Sequence, residues 1–103
     1  MIIWHRIDEP VEGITEIKVG DKKICVAVKG RDISACTTRC PHAGGAMASG
    51  YIDAMGNIVC PVHHYRFSLK NGRNSSGEGY FLKTYPVEVR EDGVYVGIPS
   101  EYQ

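Results

Sequence analysis

Two short stretches decide how this chain reads: Cys40-Pro41-His42-Ala43-Gly44-Gly45 and Cys60-Pro61-Val62-His63-His64-Tyr65. Each offers a thiol followed at short spacing by an imidazole, first as Cys-x-His and then as Cys-x-x-His, with a further imidazole at His64. Seventeen residues separate His42 from Cys60, enough for a hairpin to run out and return. Thiolates are soft, strongly donating ligands, and imidazoles are borderline ligands that stay neutral when bound. Two of each suit either one tetrahedral Zn²⁺ or a two-iron cluster with thiolates on one iron and imidazoles on the other.

The distribution of the donors bears on that choice. Zinc sites commonly pair their cysteines in one knuckle and their histidines on a helix. Here each loop carries one of each, and Pro41, Gly44, Gly45 and Pro61 oppose a helix through either loop. The pattern resembles the Rieske [2Fe–2S] family, whose signature is Cys-x-His followed by Cys-x-x-His. The resemblance runs on through Gly44, Gly50, Phe67 and Gly72 to Val94-Tyr95-Val96. It implies a [2Fe–2S] cofactor, with Cys40 and Cys60 on the inner iron and His42 and His63 on the outer one. A zinc-binding structural module is the competing reading of the same residues.

Outward from the loops, strand signals dominate. Ile2–Ile7, Gly13–Val19, Lys23–Lys29 and Asp32–Thr37 are the first four expected strands, with turns at Gly20-Asp21 and Gly30-Arg31. Ala46–Gly50 has room for no more than one helical turn. Tyr51-Ile52 and Asn57–Val59 flank Ala54-Met55-Gly56 as a hairpin whose returning arm delivers Cys60. Arg66–Leu69, Tyr80–Tyr85, Val87–Arg90 and Val94–Ile98 complete the set, and 74–79 is the most loop-like segment. Short, regularly spaced strands without helical periodicity predict an all-β sandwich or small barrel. The resemblance implies the same: a Rieske-like antiparallel β sandwich or barrel, residues 1–103 forming one domain with a cluster-binding subdomain at about 38–68.

Composition narrows the function. The chain has 103 residues, 43% hydrophobic, with twelve basic and twelve acidic side chains. One domain is expected, and a net charge of zero gives nucleic acid no bulk electrostatic reason to bind. No apolar run approaches a membrane span, and the start lacks a signal-peptide pattern, so cytoplasm is the expected compartment. No acid/base pair, activated nucleophile or phosphate-cradling loop stands out. In that compartment Cys25 and Cys36 read as buried small hydrophobes facing each other across a hairpin; a disulfide between them is the alternative.

The resemblance also implies what the protein does. It points to a soluble, monomeric electron carrier passing one electron from a flavin-dependent reductase to a terminal oxygenase or other oxidoreductase, as in the ferredoxin branch that serves ring-hydroxylating dioxygenases. A nitrite reductase small subunit is the alternative. Respiratory members carry a disulfide between the two loops, at positions that are Gly45 and Val62 here. They also place a serine and a tyrosine hydroxyl against the cluster, where this chain has Tyr65 and Phe67. Fewer donors imply a potential toward the lower end of the Rieske range, about −150 mV. His64 departs from the family, which has glycine there. It reads as an exposed bystander, a docking residue or a ligand in place of His63, with the Cys-x-x-His spacing favouring His63. A mildly basic rim of Arg39, Tyr65 and Arg66 would suit an acidic partner face; scattered solvated charges are the plainer reading.

Overall fold

A computed structural model describes residues 1–41, 44–62, 64–74 and 81–99. Its strands in chain order are β1 (Ile2–Ile7), β2 (Gly13–Val19), β3 (Lys22–Lys29), β4 (Asp32–Thr37), β5 (Tyr51–Ile52), β6 (Asn57–Val59), β7 (Arg66–Ser68), β8 (Thr84–Tyr85), β9 (Val87–Arg90) and β10 (Gly93–Pro99). One 3₁₀ turn, Met47–Ser49, is the only helical element among the described residues. None of their helices is long and apolar enough to cross a membrane.

The strands form three antiparallel sheets, ordered β1-β10-β9, β2-β3-β4-β8 and β5-β6-β7. The four-stranded sheet is the middle layer, and β3 explains why. Its five central residues, Ile24 to Val28, are all buried, as expected of a strand covered on both faces. Alternation sends Ile24, Val26 and Val28 to one side, where Val96 and Ile98 of β10, Ile7 of β1 and Val87 of β9 meet them. Cys25 points the other way. With its cross-strand partner Cys36 it packs against Met47, Ile58, Phe67, Leu82, Cys40 and Cys60. An aliphatic core therefore fills one side of the middle sheet and a sulfur-rich core fills the other.

The expected bounds of β1, β2, β4, β5, β6 and β9 match those found. The expected strand Tyr80–Tyr85 contracts to Thr84–Tyr85 because this stretch changes partners as it runs. Phe81 bridges Arg73, the Leu82 amide donates to the Gly72 carbonyl (2.8 Å), and the Lys83 carbonyl accepts from Thr37 (3.0 Å). No single ladder forms until Thr84 reaches Cys36. Tyr80 and most of the loop-like 74–79 lie outside the described residues.

Candidate metal centre

The two ligand loops share one construction. In the first, the Cys40 amide donates to the Gly45 carbonyl and the Gly44 amide donates back to the Cys40 carbonyl, both at 2.8 Å. In the second, Cys60 donates to Tyr65 and His64 donates to Cys60, both at 2.9 Å. Each loop is closed by an antiparallel pair just outside it, Arg39↔Ala46 and Val59↔Arg66. Each also turns at its fifth residue in the left-handed region, with φ of 70° at Gly44 and 58° at His64. His64 is the only non-glycine residue with positive φ among those described. Left-handed backbone is strained for most side chains, with histidine among the more tolerant. His64 thus takes the backbone conformation that Gly44 takes in the first loop.

This geometry puts a cysteine at the first position of each loop, directed into the protein. Cys40 is 3% exposed and Cys60 1%, and both belong to the sulfur-rich core. The loops meet at Gly45. A Cβ there would lie 2.5 Å from Val62 Cγ2, 3.6 Å from Val62 Cβ and 3.2 Å from Cys60 Sγ. The bare backbone of Gly45 is what lets the second loop close over the first. Of the candidate ligands, Cys40 and Cys60 are thus brought into one core, whereas His42 and His63 lie outside the described residues. Among the described residues no three His, Cys, Asp or Glu side chains converge as a metal site.

Side chains to which the sequence assigned no bracing role hold the loops in place. Arg39 donates from Nη1 to the Gly44 carbonyl (3.1 Å). Asp53 organises the β5–β6 turn: its Oδ1 accepts from the amides of Met55 and Asn57 at 2.9 Å each. Its Oδ2 accepts from Asn57 Nδ2 and from Arg66 Nε, both at 3.2 Å. Lys29 of the middle sheet donates to the Asp53 carbonyl (2.7 Å), tying this turn to the base of the protein. Burial works to raise the Asp53 pKa, but the hydrogen bonds from Asn57 and Met55 and the nearby Arg66 charge outweigh it and hold the carboxyl below its usual range. The sequence signal was available: an Asp heading a turn that ends in Gly-Asn is a frequent Asx-turn pattern. Of the expected basic rim, Arg39 and Arg66 are exposed but already engaged in this bracing, and Tyr65 packs against the sulfur-rich core.

Clefts of about 500 and 590 Å³ lie along β1, lined by residues such as Ile7, Asp8 and Glu9, and neither includes a residue of the two loops. The described chemistry is concentrated at the loops.

The family model for the Rieske [2Fe-2S] domain matches residues 5–86. The chain belongs to the Rieske [2Fe–2S] family. It is 31% identical over 72 residues to the 3-phenylpropionate/cinnamic acid dioxygenase ferredoxin subunit of Escherichia coli, covering 69% of this chain and 68% of that one. The same subunit of Photorhabdus laumondii is 31% identical over 68 residues, and the match spans about two thirds (65%) of either chain. Among solved structures, a chain assigned as an NADH-dependent nitrite reductase small subunit from Mycobacterium tuberculosis shares the fold, with TM-score 0.84, 17% identity and 97% and 98% coverage. A chain in the complex of reduced oxygenase and oxidized ferredoxin of carbazole 1,9a-dioxygenase has TM-score 0.76 and 28% identity, covering 91% of this chain and 92% of that one.

The residues present fit the family's cofactor. Two buried thiols at matching positions of two matched loops are a donor arrangement suited to one iron of a [2Fe–2S] cluster, and the space beside Cys60 is kept open by Gly45. When bound, such a cluster supplies one-electron chemistry, and this Rieske protein is accordingly an electron carrier. The chain's own part is to fix the loops, exclude water from the two thiols and hold the second loop through Asp53.

Proposed function

We propose that this Rieske protein takes one electron from a flavin-dependent reductase and delivers it to a terminal oxygenase by transient docking at the loop tips. Cys40 and Cys60 hold the inner iron and His42 and His63 the outer. The observation that carries this reading is the pair of matched loops whose cysteines enter one core, in a chain whose relatives at 31% identity are dioxygenase ferredoxin subunits. Val62, 47% exposed, and the exposed His64 belong to the surface a partner would meet. Residues 1–103 act as one domain, a monomer working in the cytoplasm, with 38–68 as the cluster-binding part.

Metal and labile-sulfide analysis combined with electron paramagnetic resonance tests the ligand set. His63→Ala abolishes cluster assembly whereas His64→Ala retains it; the opposite pattern transfers the ligand role to His64. A colourless protein holding one zinc would end the proposal. The nitrite reductase reading is favoured by the fold match at TM-score 0.84. It predicts a stable complex on purification, where the carrier reading predicts a monomer that exchanges electrons with a separate reductase.

A further inference from the structure

Cys25 and Cys36 lie outside the ligand loops, and the electron-transfer reading gives them no task. They occupy directly paired positions on β3 and β4, and neither has any exposed surface. Both are free thiols. Directly opposed residues of antiparallel strands have Cα atoms about 4.5–5.5 Å apart, inside the range of about 4.4–6.8 Å that a disulfide spans. Positions paired in this way can be bridged without moving either strand. The ladder on both sides limits how far a bridge here can relax, and strained bridges are the more easily reduced ones.

We propose that Cys25 and Cys36 are a reversible two-electron thiol pair that closes to a cross-strand disulfide when the protein meets a hydroperoxide. The Cys25 sulfur attacks the peroxide, forming an S–O bond as the O–O bond breaks and one water leaves. The Cys36 sulfur then attacks that sulfenic sulfur, forming the S–S bond and releasing a second water. Two thiols lose two hydrogens, and one hydrogen peroxide becomes two waters. Hydrogen peroxide is small and uncharged, so it can reach a core that excludes bulkier oxidants; full burial makes the reaction slow compared with that of an exposed thiolate. The pair shares its core with Cys40 and Cys60, but the proposal rests on strand register and is independent of the redox partners.

The sequence supplies a clean assay. Trypsin releases Cys25 in the peptide Ile24–Lys29 and Cys36 in Asp32–Arg39, while Cys40 and Cys60 remain together in 40–66. Purified holoprotein is treated with hydrogen peroxide, quenched with catalase, unfolded in excess alkylating agent and digested without reductant. The expected result is a linked species joining the two small peptides, which dithiothreitol separates. In Cys36→Ser, Cys25 should stop at the sulfenic acid and be captured by dimedone. The proposal is overturned if both peptides stay fully alkylated at a dose that already oxidises the exposed Met55 (85% accessible), or if their thiols link instead to the 40–66 peptide.

Discussion

The two sides of the middle sheet are held together by different physics. On the base side, long strands with β-branched residues close an aliphatic core of Ile24, Val26, Val28, Val96 and Ile98, and burial of apolar surface supplies the stability. On the loop side, strands β5 to β7 are only two or three residues long. Order there depends on backbone pairs across six-residue loops, on the hydrogen bonds around Asp53 and on the absence of a side chain at Gly45. The base should therefore set how stable the protein is, and the loop side how well it holds its metal.

The sharpest test changes one side and watches the other. Ile24→Ala, at a fully buried site of the aliphatic core, should cost about 2–5 kcal/mol of stability while leaving the midpoint potential and visible spectrum unchanged. A shifted potential would show that the two sides are not separable. Gly45→Ala should cost about 1–3 kcal/mol through overpacking and lower cluster occupancy. Adding Val62→Ala removes the 2.5 Å contact and should restore stability, but the 3.2 Å approach to Cys60 Sγ remains, so occupancy should recover incompletely. Chemical denaturation and iron content read the two effects apart.

Asp53→Asn keeps an acceptor for the turn amides but removes the charge facing Arg66, for a loss of about 1 kcal/mol at neutral pH. Because the folded carboxyl is held below its ordinary value, its stabilising contribution is present above the unfolded pKa of about 3.9 and is lost as pH falls through the folded value. The stability gap between native protein and variant should therefore shrink on acidification, as thermal melts across that window would reveal. A constant gap would place the effect of Asp53 in its neutral hydrogen bonds.

The smallest effect should come from His64→Gly. Relief of left-handed strain, about 1–2 kcal/mol, is offset by the entropy of glycine, about 0.5–1 kcal/mol. The net should be a gain of about 0–1.5 kcal/mol. Destabilisation instead would mean that the imidazole makes a stabilising contact.

Much of this division was legible beforehand, for identifiable reasons. Period-2 alternation assigns Ile24, Val26 and Val28 of β3 to one face of the middle sheet and Cys25 to the other, and the Cys/His spacing locates both loops. Facing of Cys25 and Cys36 follows from a hairpin turning at Gly30-Arg31. The Asx turn of Asp53 had a local signal, but its pairing with Arg66 and the bracing by Arg39 and Lys29 were not legible, because those partners are fixed by where the chain folds back and not by local pattern. The stretch before Thr84 misled for a related reason: it has strand-forming residues but three successive partners. His42 and His63, carrying half of the ligand proposal, were legible only as sequence.

A third loop, Ser68–Arg73, repeats the hydrogen bonds of the other two: Ser68 donates to Arg73 (2.9 Å) and Gly72 to Ser68 (2.7 Å), within the closing pair Phe67↔Asn74. It has serine where the others have cysteine. This fold, then, can write the same backbone cradle with no sulfur at its head. By that logic the shape of the cradles around Cys40 and Cys60 belongs to the backbone and not to the side chain at its head.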